Sequence, residues 1–386
     1  MSRGSVGERG RLLELAALFL RLGATAFGGP AAHVAMMHDE VVRRRRWMRE
    51  EEFLDVLGAT NLIPGPNSTE MAIHVGLARA RWRGLVVAGF SFIAPAMLIV
   101  LALAWAYVRY GRTPAGEAFL YGIEPVVIAI VLQALITLGR VAIKRSLVLS
   151  LIGVGVLALY LLGTNELLLL AGSGFVVLFL RAAGRIGQPS AGSTLLLGGA
   201  ALPLVPAVGP ATVGLGSLFL LFLKFGAVVY GSGYVLFAFL RGDLVERLGW
   251  LTEGQLVDAL AVGQLTPGPV FTTATFIGYL LGGVWGALVA TAGIFLPGFL
   301  FVVGLQRLVR LARGSRETGD LLDGVNAGAV GLMAGVTWQL GRQAIVDVPT
   351  SLLALAALGV LLQWRVNSGW VVLGGAVLGP LLWLLR

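Results

Sequence analysis

The sequence predicts an all-α, polytopic membrane protein built from two homologous repeats of inverted topology, each containing broken (re-entrant or discontinuous) helices. Three observations lead there. Of 386 residues, 57% are hydrophobic and 13% charged, against roughly 25% charged in a soluble domain. Stretches such as Leu85–Tyr107 and Leu147–Leu162 are uncharged and apolar, near the ~20 residues that cross a ~30 Å hydrocarbon core. Finally, Pro-Gly-Pro occurs at Pro64-Gly65-Pro66 and again at Pro267-Gly268-Pro269, an offset of 267 − 64 = 203. Trp47 and Trp250, Asp55 and Asp258, Gly28 and Gly231, and Arg21 and Lys224 share that offset. Without a gap, residues 19–66 and 222–269 agree at 16 of 48 positions. This is tandem duplication with helix breaks in membrane-like sequence, a pattern of repeat-built transporters.

In chain order, the first repeat opens with a segment Leu12–Val42 interrupted at Gly28-Gly29-Pro30. A second, Glu50–Ala80, is interrupted at Pro64-Gly65-Pro66. Four ordinary spans follow at about Leu85–Val108, Ala118–Leu138, Leu147–Leu162 and Leu167–Leu180. The second repeat reads Leu215–Arg241, Thr252–Leu281, Val284–Gln306, Leu321–Leu340, Ser351–Gln363 and Trp370–Leu385. After the Pro-Gly-Pro motifs the offset falls to 202, pairing Gly84 with Gly286 and Asn165 with Asn367. Residues 1–181 thus form the first repeat and 215–386 the second. Residues 182–214 join them, with an apolar stretch, Leu195–Val208, that would cross once more. Half-helices of ~12–15 residues span only ~18–22 Å, so the broken segments are expected to dip in and return, or to meet near the midplane.

Loop charge orients the chain. With the N-terminus in the cytoplasm, Arg43–Arg46, Arg49, Arg79, Arg81, Arg83 and Arg140 all fall inside. An inverted second copy also brings Arg307, Arg310, Arg313 and Arg316 inside, whereas a parallel copy leaves them outside. The counterpart of the first arginine cluster, Glu246–Trp250, carries no net positive charge, as an extracytoplasmic loop would. The N-terminus shows no cleaved signal peptide.

The formal charge of +9 reflects these loops rather than nucleic-acid binding. No cysteine is present, which excludes disulfides and thiolate chemistry. No nucleophile–base pair or paired acids cluster in the sequence, so the chain is not expected to be an enzyme. His33 and His74 lack metal-ligand company, and no metal or other cofactor is expected.

Proline beside glycine breaks a helix, and in a bilayer the freed backbone must line a cavity or be satisfied by protein. Each new half-helix begins with unpaired N–H groups and a positive dipole end, which suits an anion. Asn67, Ser68 and Thr69 follow the first break; Thr272, Thr273 and Thr275 follow the second. Asn61 and Gln264 precede the breaks at matching positions. Helix capping explains such residues equally at one break, but less well at two. The matched cations Arg21 and Lys224 would neutralise a dianion from opposite sides, the alternative being snorkelling to the interface. Gly28 and Gly29, with Gly231, Ser232 and Gly233, read either as hinge and cavity lining or as close helix packing. Glu70 is a candidate proton relay, or a first-turn acid complementing the dipole.

The stretches Phe27–His33, Arg46-Trp47 and Ile63–Thr69, with Tyr230–Tyr234, Gly249–Thr252 and Gly263–Tyr279, resemble the chromate transporter (CHR) family in its two-domain form. Two departures stand out: Tyr230 where phenylalanine is usual, and the basic Arg79, Arg81 and Arg83 after the first half-helix. The resemblance implies a multi-pass plasma-membrane protein that exports chromate, conferring chromate resistance. It also implies determinants shared with sulfate. Sulfate or another small anion, or an anion channel, remain the alternatives. The expected partners are the oxyanion and the lipid bilayer, with a homo-oligomer left open.

Overall fold

The computed structural model describes residues 7–27, 29–111, 113–143, 146–183, 213–230, 233, 235–304, 315–364 and 366–384. The joining segment's expected crossing, Leu195–Val208, lies outside them. Among the described residues the secondary structure is entirely helical. The first half contains α1 (Glu8–Thr25), α2 (Gly29–His38), α3 (Glu50–Thr60), α4 (Asn67–Tyr110), α5 (Pro114–Ile143), α6 (Leu147–Leu161) and α7 (Glu166–Ala183). The second contains α8 (Leu215–Val228), α9 (Leu236–Leu240), α10 (Glu253–Leu265), α11 (Thr273–Gly304), α12 (Arg316–Ala344), α13 (Val348–Trp364) and α14 (Ser368–Trp383). α2 and α9 each run on into a π-helical turn, Asp39–Arg44 and Arg241–Arg247.

Local chemistry sets the ends. Thr252 and Gln255 make a reciprocal capping box at α10, Ser315 accepts from the Thr318 N–H at α12, and Asn367 accepts from the Gly369 N–H at α14; each satisfies an N–H that the helix cannot. Among the described residues, four segments are long and apolar enough to cross a membrane: Asn67–Tyr110, Pro114–Ile143, Glu166–Ala183 and Val270–Gly304. Large apolar side chains such as Leu151, Leu355, Trp370 and Val377 face outward, as a lipid-facing surface allows.

α4 and α11 are each a hairpin of two helices. The backbone leaves helical geometry at Ala80 (φ −145°) and Arg81 (φ 55°), and equivalently at Gly282 (φ −148°) and Gly283 (φ 59°). A Cβ on Gly76 would run into the Gly84 carbonyl, and one on Gly278 into that of Gly286. In an unbroken helix such residues would lie about 12 Å apart. The first limb after each Pro-Gly-Pro therefore dips in and turns back, one of the two courses expected for a broken segment.

The inverted relation is visible in the packing of equivalent helices. Leu138 of α5 corresponds to Leu340 of α12. Gly139 sits against Val330, and Gly341 against Ile128. As the number rises along one helix it falls along the other, so α5 and its counterpart α12 run antiparallel.

Packing divides the molecule differently from the sequence repeat. α1 lies on α4, α8 on α11, and α4 on α11, forming one body. α6 and α7 grip α12 of the other half, α13 and α14 grip α5, and α5 packs on α12, forming a second body. Each body takes pieces from both repeats.

Arg81 occupies the left-handed region that its counterpart Gly283 occupies without a Cβ. Such a residue costs on the order of 1–3 kcal/mol. Arg81→Gly should raise the thermal midpoint in detergent, worth about 1 kcal/mol, and Gly283→Ala should lower it by about as much or more. A lower midpoint for Arg81→Gly would contradict this assignment of strain.

Candidate functional site

The two Pro-Gly-Pro turns build a symmetric junction. Prolines have no N–H, so the glycine supplies the sole backbone donor of each tripeptide. Gly65 N–H donates to the Val229 carbonyl at 2.8 Å, and Gly268 N–H donates to the Ala26 carbonyl at 2.8 Å. Ala26 and Val229 are the residues at which α1 and α8 end, and they are counterparts at the offset of 203. Each break thus satisfies the open helix end of the opposite half. The Ala26 carbonyl also accepts from His33 Nε2 at 3.0 Å. Both junctions are buried: Ala26 and Val229 are each 1% exposed.

The matched cations sit beside matched acids. Arg21 pairs with Glu40 at 2.7 Å and Lys224 with Asp243 at 2.6 Å. Arg44 and Arg247, also counterparts, reach the same acids, each at 3.0 Å. Glu40 and Asp243 share the offset of 203, a signal the sequence reading did not use. Arg21 lines a shallow cleft of about 450 Å³ with Thr25, Glu40 and Arg44. A second acidic pairing is likewise conserved between halves in geometry: His38 Nε2 meets Glu50 at 2.8 Å, and Arg241, in the equivalent place, meets Glu253 at 3.1 Å.

A crevice of about 710 Å³ opens between the two bodies. Its lining includes Pro30, Asn61, Asn67 and Tyr230 from the first body, and Asp323 and Asn326 from the second. Asn67 Nδ2 donates to Asn61 Oδ1 at 2.9 Å, and the Tyr230 hydroxyl donates to the Asn61 carbonyl. α4 begins here at Asn67, after Pro66. Thr69 and Glu70 N–H both turn back to the Pro66 carbonyl, which leaves Asn67 and Ser68 as the outermost donors of the turn. Beneath lie buried polar atoms without a hydrogen-bond partner: Asn67 Oδ1, Thr69 Oγ1 and both oxygens of Glu70, which is fully buried. Glu70 packs by Gly65 and Gly298.

The equivalent crevice of the other half is closed. Leu57, Asn61 and Leu138 line the open one and are partly or fully exposed; their counterparts Leu260, Gln264 and Leu340 are between 0% and 6% exposed. On this side Thr272 Oγ1 donates to the Pro269 carbonyl and Thr273 Oγ1 to the Val270 carbonyl, while Thr275 bonds Thr291. All three are buried. Gln264 Nε2 is buried without a partner.

Of the residues singled out in the sequence, the structure therefore gathers Asn61 and Asn67 at the open crevice, with Pro64, Gly65, Pro66, Ser68, Thr69 and Glu70 directly behind. It places Gln264, Pro267, Gly268, Pro269, Thr272 and Thr273 at the closed one, and Arg21 and Lys224 in ion pairs. Gly29 begins α2, and Gly233 faces Phe271; Gly28, Gly231 and Ser232 lie outside the described residues. Tyr230, Asp323 and Asn326 were missed as lining residues. The latter two belong to a helix that only tertiary packing brings to the break.

The family described as Chromate transporter matches twice, over residues 13–178 and 216–380. A chromate transport protein of Cupriavidus metallidurans is 35% identical over 372 residues, covering 95% of this chain and 92% of that one. A probable chromate transport protein of Synechococcus elongatus is 33% identical, with 96% of each covered. A chromate transport protein of Pseudomonas aeruginosa is 33% identical, covering 95% of this chain and 91% of its own length. No solved structure matches. With both halves matched and relatives of this similarity along nearly its whole length, the chain belongs to the chromate transporter family.

Proposed function

We propose that this chain exports chromate across the plasma membrane by alternating access between its two crevices. The carrying observation is that one crevice, present twice by sequence, is open at Asn61 and shut at Gln264. A carrier of inverted repeats produces its two access states by exchanging the conformations of its halves. The open crevice lies at the end of α5 and the start of α12, beside Arg140 and Arg316. By the loop-charge rule this is the cytoplasmic side, where an exporter loads.

In the loaded state Asn61, Asn67 and the outermost N–H groups of α4 donate to the oxyanion, and the dipole of the short limb adds attraction. In the other state Gln264 and the turn Pro267-Gly268-Pro269 take their place. A dianion leaving a negative interior gains about 4–5 kcal/mol per 100 mV, so export requires no second ion on electrostatic grounds. The repeats at residues 1–181 and 215–386 supply equivalent halves to each moving body.

Two tests follow. Asn67→Ala should raise the chromate concentration for half-maximal flux in everted vesicles about 10–150-fold, the loss of one hydrogen bond to a charged group. Excess sulfate in the same assay reports whether the site is shared, and an unchanged half-maximal concentration in Asn67→Ala would remove this residue from the site. The second concerns Lys224. Lys224→Met leaves Asp243 with Arg247 alone and should lower flux at least about tenfold, breaking a buried ion pair being worth about 3–5 kcal/mol. Adding Asp243→Asn decides its role. Recovery means a structural clamp, and continued loss means charge presented to the anion.

A further inference from the structure

The closed crevice is fastened by a feature that its open counterpart lacks. Asp258 of α10, a helix that follows α9 and leads through the Pro267–Pro269 turn into α11 of the first body while also packing on α5 of the second, is 6% exposed. It faces Glu124 of α5, in the second body, with the two carboxyl groups within hydrogen-bonding reach. Tyr107 of α4 donates its hydroxyl to Asp258 Oδ2 at 2.6 Å. Its ring packs edge-on against Phe276 of α11 at 5.1 Å, which keeps that side apolar. Asp258 Oδ1 is buried and has no protein donor unless Glu124 is protonated. Two adjacent carboxylates in a largely buried site repel each other, and one shared proton resolves both the repulsion and the orphaned oxygen.

The surroundings supply no substitute for that proton. Among the described residues, the ionisable group acting on the pair besides the carboxyls themselves is Tyr107. Tyr121, one turn before Glu124, is engaged with Asp347 at the start of α13. α14 carries no ionisable residue, and α11 carries only Tyr279. Arg342, near the end of α12, is exposed, and among the described residues no basic side chain pairs with either acid. The counterparts of Asp258 and Glu124 are Asp55 and Asn326. Asparagine cannot titrate, so a dicarboxylate forms at one crevice only.

We propose that Glu124 and Asp258 bind a proton between them, and that this proton holds the second crevice shut. Loss of the proton leaves two like charges facing each other across the two bodies. α5 and α10 then part, and the face beyond Gln264 opens. This rests on the alternating-access reading above, but concerns the latch rather than the cargo.

The natural chain has no cysteine, so access can be read from single introduced thiols without chromate. Leu340→Cys reports the closed crevice, and Leu138→Cys, its counterpart, reports the open one. Each is labelled in reconstituted vesicles by a membrane-impermeant thiol reagent supplied to the side its crevice faces. The ratio of the two rates cancels the reagent's own pH dependence. It should rise at least about fivefold from about pH 6 to about pH 9, as the closed population gives way. In Glu124→Gln, whose amide donates permanently to Asp258, the ratio should stay low and flat; Asp258→Asn should also be flat. Tyr107→Phe keeps both acids but removes a bond to the ionised form, and should move the midpoint to higher pH. Labelling at Leu138→Cys verifies insertion of each variant. A flat ratio in the otherwise natural chain overturns the proposal, as does a pH response that survives in either neutral variant. A pH-dependent ratio together with failed chromate flux would instead refute the cargo assignment and leave the latch standing.

Discussion

Everything in this architecture answers to one constraint: within lipid, no backbone group can be left for water to satisfy. A transporter needs broken helices for its site, and each break exposes amides and carbonyls. Here the Gly65 and Gly268 N–H groups close on the carbonyls at the ends of α8 and α1. A break in one half is thus repaired by a helix end in the other. The two halves cannot be separated without unpairing both, at a cost of several kcal/mol per group in a hydrocarbon setting. The junction needs glycine between prolines, because both tripeptide glycines hold a positive φ and a Cβ there would run into Glu70 or into Ala96 and the Gly23 carbonyl.

From this junction outward, near-symmetry is held while symmetry of state is not. Arg21–Glu40 and Lys224–Asp243 repeat at almost the same length, as do the hairpin reversals at Arg81 and Gly283. The pieces that differ lie where the two bodies meet. Leu57 and Asn61 face a cavity, whereas Leu260 and Gln264 are packed away. The chemistry at the two interfaces differs in the same place. A neutral Asn326 stands on the open side and an acid, Glu124, on the closed side. Near-identical folds thus carry unlike chemistry where the two bodies meet.

The ion pairs shift how charge in the membrane should be understood. A lone cation there demands a partner, and the partner of each comes from the π-helical turn that follows α2 or α9. Arg21 and Lys224 thereby lock the broken segment in its return.

The sequence by itself determined the repeat, its offsets, the places of the breaks and nearly every span, since these follow from periodic apolar runs punctuated by Pro and Gly. It also held a sign of inversion in the differing charge of Arg43–Arg46 and Glu246–Trp250. It showed Asn61 and Asn67 as polar groups flanking a break. It did not show that α6 and α7 clasp α12 while α13 and α14 clasp α5, because such swaps join residues far apart in the chain with no local pattern. For the same reason Asp323 and Asn326 at the crevice, and Glu124 against Asp258, were illegible until packing brought them together. Which crevice stands open is a matter of how two rigid bodies lean, a difference in packing free energy between two arrangements of one sequence, and only the tertiary structure decides it.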